Sequence, residues 1–183
     1  MGIGSTLAKR AVFLDRDGVI NRAIVRDGKP YPPESLNGVE ILPGVYDATR
    51  ALKLAGFCLV VVTNQPDVAR KTQTLEAVES INRHLGTALG ISHFRVCYHD
   101  DGDSCRCRKP KPGLLLDAAA ELGIDLPSSF LVGDRWRDIA AGEAAGCKTI
   151  WIDCGYDEEQ PGNFDYRASS LLDASRWIIA GDW

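Results

Sequence analysis

Short apolar runs alternate with longer amphipathic stretches along this chain, and nearly every run stops at a polar cluster. Ala11–Leu14 predicts a first strand, because consecutive apolar residues bounded by charge suit a strand buried on both faces. Further strands are predicted over residues 57–62, 94–98, 129–133 and 149–153. Between them the apolar period changes to three and four. Val45, Ala48, Leu52 and Ala55 predict a helix within 43–56, and Leu75, Val78, Ile81, Leu85 and Ala88 predict another over 74–89, closed by Gly90. A third, over 112–123, begins with proline and ends with glycine; Trp136–Ala145 and Leu171–Ala180 complete the set. Strands alternating with helices imply an α/β fold, a parallel sheet covered on both faces. At 183 residues, a single domain spanning 1–183 is expected.

The polar clusters at the strand ends carry the candidate chemistry, since ligands of such sheets lie beyond the carboxyl ends of the strands. Asp15 follows the first strand directly, and Gly18 permits a bend that returns Asp17 to the same space. Thr63-Asn64-Gln65 follows the second strand, Arg108-Lys109-Pro110 precedes a helix, and Asp134 follows the fourth strand with Asp138 one helical turn on. Any one of these alone reads as a turn or a cap. Together they supply a carboxylate nucleophile, Asp15, a second carboxylate for proton transfer, Asp17, a hydroxyl, Thr63, and a lysine, Lys109. That set meets the needs of phosphoryl transfer through an aspartyl-phosphate. An oxygen-rich group of carboxylates beside a phosphate suits Mg²⁺ better than a softer metal.

Asp15-x-Asp17-Gly18, Thr63-Asn64-Gln65, Lys109-Pro110 and Gly133-Asp134-x-x-x-Asp138 resemble, in order, the four motifs of the haloacid dehalogenase (HAD) superfamily of phosphatases, over about residues 11–152. The resemblance implies a Rossmann-like, doubly wound sheet with a central first strand. It implies Mg²⁺ held by the Asp15 carboxylate, the Asp17 carbonyl and Asp134. Lys109 then neutralises phosphoryl oxygens, Thr63 and the amide of Asn64 donate hydrogen bonds to them, and Asp138 orients the lysine or a metal-bound water rather than binding the ion itself. Gln65, Asn64, Arg108 and Arg135 are the candidates for substrate contact. Too few residues separate the first strand from its helix for a large cap domain, so residues 22–42 and the cysteine loop are expected to cover the site.

Cys97, His99, Cys105 and Cys107 fall within eleven residues, and a Cys₃His set is what a structural, tetrahedral zinc site uses. The intervening Asp100-Asp-Gly-Asp-Ser104 is too polar to order itself by burying apolar surface, so a metal would supply that free energy. Cys-x-His followed by Cys-x-Cys-Arg-Lys-Pro resembles HAD subfamily IIIA, the phosphatases that remove the 7-phosphate of D-glycero-D-manno-heptose 1,7-bisphosphate. Histidinol-phosphate phosphatases share the same motifs and are the alternative. Pro66-Asp67 departs from the Ser-Gly usual in the heptose enzymes. A nucleic-acid 3′-phosphatase and a non-catalytic, zinc-organised interaction module rank lower. Cys58, Cys147 and Cys154 stand apart and read as core fillers.

Composition narrows the partners. With 45% hydrophobic and 25% charged residues the chain reads as an ordinary soluble protein, and a net charge of −4 argues against a nucleic-acid partner. No apolar run approaches bilayer length, and residues 1–10 lack the apolar core of a signal peptide. The expectation is a cytoplasmic monomer that acts on a small phosphorylated sugar, with no membrane partner.

Overall fold

The computed structural model describes residues 8–181 and 183. Residues 1–7 of the N-terminal stretch lie outside the described residues. The elements run β1 (Ala11–Leu14), β2 (Ile24–Arg26), β3 (Lys29–Tyr31), α1 (Val45–Leu54), β4 (Cys58–Asn64), α2 (Leu75–Leu89), β5 (His93–Cys97), α3 (Gly113–Leu122), β6 (Phe130–Gly133), α4 (Trp136–Ala145), β7 (Lys148–Ile152), β8 (Tyr166–Ala168) and α5 (Leu171–Ala180). Six strands form one parallel sheet in the order β5-β4-β1-β6-β7-β8. The first strand is internal, with Leu14 opposite both Val61 and Val132. The expected doubly wound α/β sheet is what forms.

Every residue of β1 is buried, yet its alternation is strict. Val12 and Leu14 join Leu59, Val61, Phe130 and Val132 in a core closed by α1, α2 and α5, through side chains such as Leu52, Leu85 and Ile178. Ala11 and Phe13 face the other way, with Val60, Val62 and Leu131, against Leu114, Leu115 and Ala118 of α3 and Ala141 of α4. A period of two inside a uniformly apolar run thus feeds two cores.

The structure departs from expectation where elements are short. Residues 22–42 contain an antiparallel hairpin, β2–β3, turned by Asp27 and Gly28 at φ 49° and 72°. The hairpin is tied on one side by Asp157 N donating to Gly28 O at 2.8 Å, and beyond its end by Gln73 Nε2 donating to Pro33 O at 2.7 Å. Strand β8 extends the sheet past the five strands expected. Leu75, read as part of the apolar stripe of α2, is half exposed; the buried stripe starts at Val78, one turn further along the helix. Cys147 is buried as expected, Cys58 is half-buried, and Cys154, beyond the end of β7, is exposed and fills no core. No helix among the described residues is long and apolar enough to cross a membrane.

One side chain links β1 to the start of β6. Ser129 Oγ accepts from Ala11 N at 2.9 Å and donates to Asp125 O at 2.6 Å, in a fully buried position. Ser129→Ala leaves the Ala11 N–H buried without a partner, and is expected to lower the unfolding free energy by about 1–2 kcal/mol. Urea denaturation measures this, and an unchanged midpoint would show that the contact contributes nothing.

Candidate active site and metal-binding loop

Two neighbouring strand ends, those of β1 and β6, bring the acids together. Asp15 follows β1 and its backbone N–H donates to Val132 O of β6 at 3.0 Å, so its position is set by the sheet. Gly18 turns the chain at φ 94°; a Cβ there would lie 1.9 Å from Asp134 Oδ2, so only glycine lets the loop close on that carboxylate. Trp151 Nε1 holds the Asp134 carbonyl at 3.2 Å. Asp15, Asp134 and Asp138 each offer an oxygen within 4.8 Å of the others, all buried. Asp138 reaches its place over Gly133, where a Cβ would sit 2.1 Å from the Asp138 Cβ.

Lys109 crosses this group. Its ammonium lies 2.7 Å from Asp15 Oδ1, 2.6 Å from Asp138 Oδ1 and 2.7 Å from Val62 O, which uses all three of its protons. Asn64 clamps the lysine backbone from both sides, accepting from Lys109 N at 3.1 Å and donating to Lys109 O at 3.0 Å. Burial would strip the ammonium of its proton, but Asp138 and Asp15 outweigh it and hold the lysine charged above its ordinary range. Burial pushes the Asp15 carboxyl up to about 6, with Lys109 offsetting part of the rise and Asp138 adding to it. Asp134 is raised well above its ordinary value by burial and by the charges of Asp15 and Asp138. Both of its oxygens are buried and lack a hydrogen-bond partner among the described residues; Tyr156, beside it, does not meet hydrogen-bond geometry. A buried carboxylate with two orphaned oxygens, at the strand end next to that of Asp15, fits a hard divalent cation such as Mg²⁺. Asp138 fits that role less well, because Lys109 takes Oδ1 and Arg135 N donates to Oδ2 at 3.1 Å.

Asp17 faces the same cleft and is braced from behind. Arg16 Nη2 donates to Oδ2 at 2.9 Å, Asn21 Nδ2 to Oδ1 at 2.9 Å, and Gln65 Nε2 to Oδ2 at 2.8 Å. Arg16 is fully buried and is anchored on α2 through Asn82 Oδ1 at 3.0 Å. Gln65 also donates to Thr63 Oγ1 at 2.9 Å, leaving the threonine hydroxyl proton free to point elsewhere. The expectation that Gln65 touches substrate is therefore corrected: it is wholly buried and is not part of the cleft wall, and its amide is committed to Asp17 and Thr63. Asn64, Arg108 and Arg135 do line the cleft, which has a volume of about 210 Å³. Arg135 is held there by both oxygens of Glu158, at 2.8 and 2.5 Å. Lys29–Tyr31 of the hairpin forms one wall and Asp101 of the cysteine loop part of another.

The cysteine loop starts where β5 ends. Cys97 Sγ lies 3.1 Å from Cys107 Sγ, 3.9 Å from Cys105 Sγ and 3.6 Å from His99 Nδ1, and Cys107 Sγ lies 3.3 Å from His99 Nδ1. Zinc–sulfur bonds of about 2.3 Å at tetrahedral angles put sulfurs roughly 3.7 Å apart, so these separations are close to the edges of one coordination tetrahedron. None of the six cysteines is in a disulfide. Burial pushes the Cys97 and Cys107 thiols up, and a zinc ion at the centre would hold them as thiolates. The residues that follow Cys107 are Arg108 and Lys109, so this loop delivers the lysine to the acids.

A HAD-hydrolase-like family model matches residues 106–174. The D-glycero-β-D-manno-heptose-1,7-bisphosphate 7-phosphatase of Yersinia pestis is 38% identical over 93% of this chain and 95% of its own length. That of Vibrio cholerae is 39% identical over 93% and 94%. The chain belongs to this family of HAD phosphatases. The structure of D,D-heptose 1,7-bisphosphate phosphatase from B. bronchiseptica, complexed with magnesium and phosphate, superposes with a TM-score of 0.82 at 27% identity, over 94% of this chain and 99% of that one.

In this HAD phosphatase the bracing residues Arg16, Asn21 and Asn82 had no role in the sequence reading. Arg16 and Asn21 sit inside the Asp15–Asn21 motif, whereas Asn82 gives no signal beyond a polar residue beside Ile81 on α2. Two measurements probe the metal sites. Asp15, raised to about 6, and Asp134, raised well above its ordinary value, are easier to protonate in the folded protein than in the unfolded chain, so stability from them is present at low pH and is lost as pH rises through their folded-state values. Magnesium needs these carboxylates ionised, and is expected to raise the melting temperature more at about pH 7.5 than at about pH 5. Thermal melts with and without Mg²⁺ report this, and equal shifts at both pH values would contradict it. For the cysteine loop, elemental analysis of protein purified without chelator is expected to find zinc, and Cys107→Ser to lose it with a lower melting temperature. Zinc-free wild-type protein of full stability would remove the site.

Proposed function

We propose that this chain hydrolyses the 7-phosphate of D-glycero-D-manno-heptose 1,7-bisphosphate, with Asp15 as nucleophile. The observation that carries this reading is the buried Lys109 bridging Asp15 and Asp138 beside the unpartnered Asp134, at the floor of a cleft open to a small metabolite. An Asp15 oxygen attacks phosphorus, and the bond from phosphorus to the sugar oxygen breaks as Asp17 gives that oxygen a proton. Asp17 then takes a proton from the water that attacks the aspartyl-phosphate, and inorganic phosphate leaves with Asp15 restored. The free proton of Thr63 Oγ1 donates to a phosphoryl oxygen, while the Lys109 ammonium, its three protons held by Asp15, Asp138 and Val62 O, offsets through its charge the negative charge that develops there. Bound at Asp15 and Asp134, with the Asp17 carbonyl, Mg²⁺ would neutralise the repulsion between carboxylate and phosphate. Arg16, Asn21 and Gln65 keep the Asp17 carboxylate aimed through both steps.

The cleft mouth favours the heptose bisphosphate over histidinol phosphate. Lys29, Arg70, Arg108, Arg135 and Arg137 line it against two carboxylates, Asp67 and Asp101, an excess of positive charge that attracts a second phosphate and opposes an ammonium group. Phosphate release with Mg²⁺ is expected to be at least about a hundredfold more efficient, in kcat/KM, on the heptose bisphosphate anomers than on histidinol phosphate, a gap of about 3 kcal/mol. Asp15→Asn is expected to reduce kcat at least about 10³-fold with the melting temperature near wild type. Comparable efficiency on both substrates would overturn the substrate, and an active Asp15→Asn would overturn the nucleophile.

A further inference from the structure

A second recess, with a volume of about 310 Å³, lies beside the cleft that holds Asp15. It opens between the β2–β3 hairpin, with the residues that follow it, and the segment after β4. Tyr31, Pro32, Asp67 and Arg70 line both cavities, so a substrate held at Asp15 borders the recess across a shared wall. Gln73 ties the two sides together, its Nε2 donating to Pro33 O at 2.7 Å and to Glu34 O at 3.3 Å. The lining charges balance: Arg26 and Arg70 stand against Glu34 and Asp67. Arg26 Nη2 already pairs with Glu34 Oε1 at 2.5 Å, and Arg70 holds both oxygens of Asp100 at 2.9 and 2.5 Å, so a further anion finds both guanidinium groups engaged. What is unmet here is acceptors. Gln73 Oε1 is buried with no hydrogen-bond donor among the described residues, and Asp67, 3.5 Å from Arg70 Nη1, keeps acceptor capacity to spare. Tyr31 adds an aromatic ring that is 37% exposed.

We propose that this recess receives the uncharged, hydroxyl-bearing part of the substrate, with Asp67 and Tyr31 setting the preference for it. The proposal rests on the reading of this site as a sugar-phosphate phosphatase, and assigns what recognises the sugar rather than its phosphates. A hydroxyl donates as well as accepts, whereas a phosphate dianion only accepts. Unpaired carboxylate and amide oxygens therefore select hydroxyls. Hydrogen bonds to an ionised acceptor are about twice as strong as neutral ones, which makes Asp67 the stronger of the two acceptors. Between its hydroxyls a sugar ring presents C–H faces, and these pack on the Tyr31 ring while the phenol tip stays polar. Such a site discriminates by what a poorer substrate lacks: a ligand that enters without hydroxyls displaces water and leaves the acceptors unpaired. Asp67 belongs to Pro66-Asp67, the pair in which this chain departs from the usual Ser-Gly.

The test compares kcat/KM for heptose 7-phosphate with kcat/KM for glycerol 3-phosphate, which keeps the phosphomonoester and lacks the sugar ring, using the full chain replete in zinc and magnesium. Wild type is expected to favour the heptose at least about a hundredfold. Asp67→Ala and Tyr31→Ala are each expected to lower that preference about tenfold, because one removes the charged acceptor and the other the packing face. A general loss of structure would lower both efficiencies together and leave their ratio alone. Thermal melts show whether each variant is folded; if Asp67→Ala is not, Tyr31→Ala decides alone. A preference retained or raised in either folded variant, or absent from wild type, would overturn the subsite and leave the hydrolytic reading standing. Wild type that releases phosphate from neither compound would instead refute the hydrolytic reading, and the subsite with it.

Discussion

The buried ammonium of Lys109 is the contact on which this site depends. Three carboxylates, on Asp15, Asp134 and Asp138, crowd one end of a parallel sheet with oxygens within 4.8 Å of one another. Like charges at that spacing in a poorly solvated place cannot all stay ionised without compensation. Lys109 supplies one positive charge to Asp15 and Asp138, and a divalent cation held by Asp134 and Asp15 would supply the two that remain. Asp17 stands outside this balance because Arg16 pairs with it directly. The arrangement thus separates Asp15, tied to lysine, from Asp17, tied to arginine, although only one residue lies between them.

Placing that ammonium takes most of the chain's irregular structure. Lys109 lies far from Asp15 in sequence and follows a loop too polar to order itself. The Cys₃His cluster closes this loop immediately before the lysine, and Asn64, at the end of β4, grips the lysine backbone on both sides. The sheet supplies the rest: Val62 O, in the strand next to β1, accepts the third ammonium proton. A zinc ion held by this cluster would therefore be a mechanical part of the chemistry. Its loss would free the segment that holds a cation between two acids.

How much of this was legible in the sequence follows from the range of each signal. The buried strands and amphipathic helices announce themselves through local period, and α4 and α5 fall where the apolar spacing puts them. The strand-end motifs were readable because the chemistry demands particular residue types at fixed spacing. What escaped was short or tertiary. The β2–β3 hairpin has three residues a side, mostly exposed, with a proline in one strand, so neither period nor burial marks it; only Asp27-Gly28, a common hairpin turn pair, points to it. Gln65 was expected at the substrate because a polar residue beside Thr63 looks like a ligand contact. Its burial behind Asp17 depends on the packing of distant elements, to which local sequence is blind.

The walls of the cleft are loops: the hairpin on one side, the cysteine loop and the segment after β4 on the other. Asp15, Lys109 and Asp138 are fixed by strands and by buried ion pairs. The cations at the mouth are instead held by exposed carboxylates such as Asp100 and Asp101. These two layers differ in what a substitution costs. A change at the floor strands a buried charge, which destabilises a protein strongly, whereas a change at the mouth alters an exposed pair that contributes little to folding. Pro66-Asp67 lies in this tolerant layer, where the Asp67 carboxylate lines the cleft and stands 3.5 Å from Arg70. Substrate choice in such a fold is therefore free to drift at its rim while the hydrolytic floor stays fixed by electrostatics.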